Sequence, residues 1–300
     1  MMDSALLQLV RNGNVKAIAR SISLIENEAK GYEKFLRMLP PSNTRITGIT
    51  GPPGAGKSTL VDALIKKLVN SNQSVAVVCV DPSSPFNLGA LLGDRIRMSE
   101  WYNHPLVYIR SLATRGSLGG LHPKIIEISD LLRSAPFNHI IIETVGVGQS
   151  EIEIAALADT TVVVLVPESG DEIQTLKAGI MEIADIFVVN KADRPDAGLF
   201  LKNLTLMLRT VVSVHAPAPV IKTIASQNIG IDELLSAIIT HQQIVESTDK
   251  KFMLLANRAY ELIQKKRMKS VDKELIRKRI TEQSASGEFN MYQFIEGNFN

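Results

Sequence analysis

The octet Gly51-Pro52-Pro53-Gly54-Ala55-Gly56-Lys57-Ser58 holds the residues whose types and spacing point most directly to chemistry. Four residues separate Gly51 from Gly56-Lys57-Ser58, which is the G-x-x-x-x-G-K-[ST] spacing of a phosphate-binding loop. Glycines allow several backbone N–H groups to converge on phosphate oxygens at the positive end of the following helix. Lys57 would place a point charge on the β- and γ-phosphates, and Ser58 would offer a hydroxyl to Mg²⁺. Thr59, next in the chain, joins the same nucleotide-binding set. The flanks agree, because 45–50 reads as a strand entering the loop and 59–68 as an amphipathic helix leaving it. A chance glycine turn would lack that framing, so the pattern implies binding of a nucleoside triphosphate.

The base is addressed further along. The apolar run 185–189 ends in Asn190-Lys191-Ala192-Asp193. An Asp193 carboxylate there can accept two hydrogen bonds from guanine N1–H and the 2-amino group. Adenine lacks that donor pair and would leave a desolvated carboxylate unmatched, a penalty of about 1–3 kcal/mol. Asn190 can hold the loop, and the Lys191 stem can cover the ring face. The competing reading is a helix start capped by Asn190. Following a phosphate loop in the chain order of a GTP site, the guanine reading is favoured.

Between these two lies His139-Ile140-Ile141-Ile142-Glu143-Thr144-Val145-Gly146, a buried-strand run ending in an acid. Glu143 can reach Mg²⁺, and the Gly146 N–H can sense a γ-phosphate. Residues 146–151 would form a switch in which Gln149 is placed to orient water. Asp81, after the run 75–80, stands at a strand's carboxyl end, where open α/β sheets bind ligands. It suits metal ligation through water or positioning of the attacking water, against a plain turn cap before Pro82. Asp94 is a candidate of the same kind. Arg110 and Arg115 lie on or beside a glycine-rich stretch, as phosphate contacts or as solvated surface residues.

Four strings now carry a resemblance: Asp81-Pro82-Ser83-Ser84-Pro85, Arg115-Gly116-Ser117-Leu118-Gly119-Gly120, Glu143-Thr144-Val145-Gly146-Val147-Gly148-Gln149-Ser150-Glu151 and Asn190-Lys191-Ala192-Asp193. They resemble the MeaB/ArgK family of P-loop GTPases, the G-protein chaperones of adenosylcobalamin-dependent methylmalonyl-CoA mutase. The likeness runs from Leu6 to about Asp249, and the string that starts at Glu143 is its most specific part. The resemblance implies Lys57 and Ser58 as phosphate and Mg²⁺ residues. It implies Asp81, Asp94 and Glu143 as metal and catalytic acids, and Asn190, Lys191 and Asp193 as guanine readers. Where the family has a Ser-Ala loop beside the base, this chain has Ile224-Ala225-Ser226, so the Ala225 backbone N–H is the contact carried over. An adenosylcobalamin-dependent acyl-CoA mutase as partner and a homodimer follow from the same resemblance. The last fifty residues depart from the family pattern and are short for it.

Composition fits an enzyme with one α/β core and helical additions: 300 residues, 45% hydrophobic. A net charge of +2 suggests neither nucleic acid nor an acidic surface as partner. No apolar run reaches membrane-spanning length, and no basic region precedes an apolar stretch at the start. The single cysteine, Cys79, lies in an apolar strand and reads as a small core residue. The expectation is a cytoplasmic protein with no membrane contact.

The expected organisation is a helical extension over 1–41, a GTPase domain over 42–246 and a helical arm over 247–300. Apolar runs at 46–50, 75–80, 106–109, 140–142, 161–166, 186–189 and 220–223 alternate with helical periods. That predicts an α/β P-loop NTPase fold, a mainly parallel sheet with helices on both faces. Residues 249–283 hold eleven Lys/Arg against five Asp/Glu, around a stripe of Phe252, Leu255, Ala259, Leu262 and Ile263. A dimer arm, packing on the chain's own core and a basic docking face are its three readings, in that order.

The expected function is a GTP-hydrolysing switch, slow alone, whose loops 81–94 and 143–151 order with GTP and release with GDP. The alternatives are a nickel- or cobalt-insertion GTPase and a small-molecule or protein kinase. Metal delivery calls for clustered soft ligands, yet Cys79 is single and the five histidines are scattered. A kinase would not explain Asn190-Lys191-Ala192-Asp193. The chain carries no Asp-x-His-x-x-Gly signature, so cobalamin is expected to ride on the partner.

Overall fold

Short runs of β-branched residues with no polar alternation demand cover on both faces, and the chain supplies it. The computed structural model describes residues 4–81, 98–114, 121–146, 150–167, 181, 183–211, 218–246, 250–268, 271–285 and 289–299. Its strands are β1 (Ile46–Thr50), β2 (Val75–Asp81), β3 (Val107–Ala113), β4 (His139–Glu143), β5 (Thr160–Leu165), β6 (Ile186–Val189) and β7 (Val220–Lys222). They form one seven-stranded sheet in the order β3-β2-β4-β1-β5-β6-β7. Every neighbouring pair runs parallel, so all carboxyl ends lie along one edge. Because β4 inserts between β2 and β1 while β5 flanks β1 on its other side, the strand order reverses at β1, and such a reversal opens a ligand crevice.

The helices are α1 (Ser4–Arg11), α2 (Val15–Glu26), α3 (Tyr32–Leu36), α4 (Lys57–Asn70), α5 (Ile125–Arg133), α6 (Ser150–Leu157), α7 (Ala197–Val211), α8 (Ile231–Glu246), α9 (Lys250–Met268), α10 (Lys273–Ser284) and α11 (Met291–Phe299). One core cluster joins Leu60 and Leu64 of α4 and Leu234 and Ile238 of α8 to Ile49, Val77, Val164 and Val188 of the sheet. The other joins Phe200, Leu204 and Leu208 of α7 to Val163, Leu165, Phe187 and Val189. Successive residues of β5 and β6 thus enter opposite clusters, which is why these strands read as continuous apolar runs. Truncating a fully buried side chain such as Leu60 would cost about 2–5 kcal/mol.

The first helices pack together, with α2 against α5. Asn14 caps α2 by accepting from the Ala17 N–H at 2.9 Å, and Ile18, Ile22 and Ile25 are buried at the three- and four-residue steps of its apolar face. β3 runs beyond the expected 106–109, because Arg110 and Ser111 pair with Val78 and Cys79 in the parallel ladder. Polar side chains in mid-strand hid that extension. Arg110 is neither a phosphate contact nor a solvated arginine: its guanidinium pairs with the Glu26 carboxylate and donates to Ser23 Oγ of α2.

The chain divides into two compact units, Met1–Leu254 and Leu255–Asn300. Within the second, Asp272 caps α10 by accepting from the Glu274 N–H at 2.8 Å. The rings of Phe289 and Phe294 lie 5.8 Å apart, with Phe294 buried. Leu255, Tyr260, Ile263 and Met268 of α9 are exposed. No helix among the described residues is long and apolar enough to cross a membrane.

Candidate functional site

Thr50 ends β1, and the phosphate loop leaves the sheet immediately after it. Gly51 adopts φ +142°, and a Cβ there would overlap the Val164 carbonyl oxygen of the adjacent strand. Only glycine fits between the two strands at that turn. The loop re-enters regular structure at Lys57, the first residue of α4, so the N–H groups of the helix start face the loop. Lys57 is buried, and its ammonium donates to the Gly51 carbonyl at 2.8 Å and the Pro52 carbonyl at 3.1 Å. The charge is folded over its own loop, held by neutral carbonyls that a phosphate oxygen would readily outcompete.

Ser58 Oγ donates to Glu143 Oε1 at 2.7 Å, joining the start of α4 to the end of β4. Cys79 stands opposite Glu143 in the ladder, which puts Asp81 two residues further along the neighbouring strand, at the same edge. Both acids are buried. A hydroxyl with two carboxylates is a set of hard oxygen donors, the chemistry that Mg²⁺ selects. Gly146 has φ +83°, and a Cβ on it would collide with the Gly51 carbonyl oxygen and the Lys57 ammonium. The backbone after β4 therefore lies directly against the phosphate loop.

The loop after β6 is stitched to the same place. Asn190 follows β6, and its buried amide Nδ2 donates to the Ala55 carbonyl at 2.9 Å. Its Oδ1 accepts from Thr223 Oγ1 at 3.0 Å and from the Ala225 N–H at 3.1 Å. It is no helix cap, since α7 begins only at Ala197. Lys191, at φ +54°, donates its ammonium to the Gly54 carbonyl at 2.8 Å. Asp193 is exposed, with its carboxylate accessible to solvent. The Ala225 N–H, read from the sequence as a base contact, here fixes the Asn190 amide.

Glu143 and Ser58 are thus brought into contact, and Lys57, Gly51 and Gly146 converge, while Asn190 and Lys191 bind the loop from the far side. Asp94, Arg115 and Gln149 lie outside the described residues. Three hydroxyls went unnoticed in the sequence. Thr223 braces Asn190, and Thr50 and Thr144 pair side chain to side chain at 2.8 Å. Each sits at a strand's carboxyl end, where a threonine is equally explained by its β-branched shape.

The family model described as methylmalonyl Co-A mutase-associated GTPase MeaB matches residues 18–284. The chain belongs to the MeaB family. A protein of Pyrococcus abyssi is 44% identical over 280 residues, covering 91% of this chain and 83% of the relative. GTPase ArgK of Escherichia coli K12 is 32% identical over 271 residues, covering 86% of this chain and 82% of ArgK. Among solved structures, that of an LAO/AO transport system kinase aligns over 98% of this chain and 95% of its own, with a TM-score of 0.67. At 24% identity, that likeness shows the shared fold. The fold is that of a P-loop GTPase, and this MeaB-family chain is a GTPase whose phosphate loop and N-K-x-D loop meet at one sheet edge.

Proposed function

We propose that the chain is a GTP-hydrolysing chaperone that gates the loading or protection of the cofactor of an adenosylcobalamin-dependent acyl-CoA mutase. The observation that carries this reading is the match of residues 18–284 to the mutase-associated family, on a site built from that family's motifs. Gly51–Thr59 cradle the phosphates of GTP or GDP, with Pro52, Pro53, Gly54, Ala55 and Gly56 supplying backbone and Lys57 the charge. Asn190, Lys191 and Asp193 select guanine, and Ala225 keeps Asn190 in place.

Ser58, Asp81 and Glu143, joined by Asp94, are the residues that would hold Mg²⁺. When bound, that ion neutralises charge developing on the transferred phosphoryl group. On nucleotide entry Lys57 exchanges two carbonyl oxygens for phosphate oxygens, a charge-assisted and stronger pairing. Gly146 lies against the phosphate loop and offers its N–H as the γ-phosphate sensor. Asp81 and Gln149 are the candidates for positioning the attacking water. Hydrolysis is slow alone, because the partner supplies or orders the water-orienting group.

The exposed apolar residues of α9 support a homodimer formed by the arm 247–300, with 1–41 as an extension of the GTPase domain 42–246. A cytoplasmic location suits a soluble acyl-CoA mutase client. The test is GTP hydrolysis by the purified chain with and without an adenosylcobalamin-dependent acyl-CoA mutase. The expected result is at least about tenfold stimulation, abolished by Lys57→Ala. An unchanged rate over a full titration of mutase would contradict the gating role.

A further inference from the structure

The phosphate loop and the loop after β4 share one root. Thr50 Oγ1 and Thr144 Oγ1 lie 2.8 Å apart, both fully buried, each immediately outside a residue assigned to the site. Gly51 follows Thr50, and Glu143 precedes Thr144. The Thr144 N–H also donates to the Ile49 carbonyl at 3.0 Å, extending the β1–β4 ladder by one rung. Two residues on, Gly146 lies against the Gly51 carbonyl and the Lys57 ammonium. A second side-chain link at this root is Ser58 to Glu143, and both its oxygens belong to the set assigned to Mg²⁺. Two hydroxyls that face each other have no such second task.

Resting on the GTPase reading above, we infer that the Thr50–Thr144 hydroxyl pair is a positioning device for hydrolysis. It fixes the height of the Gly146 N–H above the phosphate loop. It touches no substrate and acts through Gly146. A buried hydroxyl pair suits this task, because each partner is left unsatisfied if the other withdraws, so the contact has one preferred geometry. The effect falls on turnover rather than on diphosphate affinity, since the loop N–H groups and the Lys57 charge on the β-phosphate hold the diphosphate without Gly146.

The experiment compares wild type, Thr50→Val, Thr144→Val, the double valine variant and Thr144→Ser. The three readouts are single-turnover GTP hydrolysis, GDP affinity by calorimetry, and amide exchange at Val145 and Gly146 with GDP bound. Each single valine variant should slow hydrolysis roughly five- to tenfold, with GDP affinity within about twofold of wild type. The double variant should be no slower than the worse single one, because both remove the same contact. Thr144→Ser should restore the rate, and Thr144→Val should speed exchange of the two amides.

Hydrolysis unchanged in both single variants would overturn the inference. So would losses that multiply in the double variant, or a parallel loss of GDP affinity. If Thr144→Val fails to fold, Thr50→Val and Thr144→Ser decide the question alone. Lys57→Ala in the same assays separates the two levels: if it hydrolyses GTP as fast as wild type, the phosphate site itself is misassigned and the inference falls with it.

Discussion

Asn190 shows how a binding residue is made before any ligand arrives. Its amide gives one hydrogen bond to the phosphate loop and takes two from the segment after β7, so the three loops share one buried side chain. Asp193, three residues on and exposed, is the residue proposed to read the base. Asp193→Asn should therefore leave the fold intact and shift preference from guanosine toward xanthosine nucleotides by more than about tenfold, since the amide matches the altered base edge. Competition binding of GDP and XDP reads this directly, and an unshifted ratio would place the base elsewhere. At this scale the sequence was legible wherever function demands a fixed spacing, as from Gly51 to Ser58. It was opaque at Thr50, Thr144 and Thr223, because a lone threonine at a strand end is as common for its β-branched shape as for its hydroxyl.

The strands were readable as elements because both faces of a parallel sheet are buried, which leaves unbroken apolar runs such as 140–142 and 186–189. β3 was half hidden, since Arg110 sits in mid-strand and is stabilised by Glu26, a partner 84 residues away that no local pattern reveals. His139 is a comparable case at the start of β4. Burial lowers its pKa from the ordinary 6.5, and its Nε2 lies 2.6 Å from Gln73 Oε1 at the end of the loop before β2. The folded state favours the neutral ring, so the unfolded chain takes up the proton first. This contribution to stability is complete above the unfolded value of about 6.5 and is lost as pH falls from there through the folded pKa. Thermal unfolding followed from about pH 7.5 to about pH 5.5 should show a larger drop in Tm for wild type than for His139→Gln. Equal drops would mean that the ring takes up its proton alike in the folded and unfolded chains.

At the scale of the molecule, one edge of one sheet gathers every described residue of the site, because parallel strands point all their carboxyl ends the same way. Most strands of the sheet were legible for that reason. The second unit, Leu255–Asn300, was less so: its helices have a short apolar stripe and many charges, a pattern shared by dimer arms and docking faces. The residues proposed to contact nucleotide lie on β1, α4, β4 and the loop after β6, so a partner would read the state of the γ-phosphate as a change of surface. We propose that an acyl-CoA mutase reads this difference. Sedimentation velocity of the chain with an adenosylcobalamin-dependent acyl-CoA mutase, in GDP and in a non-hydrolysable GTP analogue, measures it. The dissociation constants should differ by at least about fivefold between the two nucleotides. Equal constants in both, or no complex in either, would contradict it.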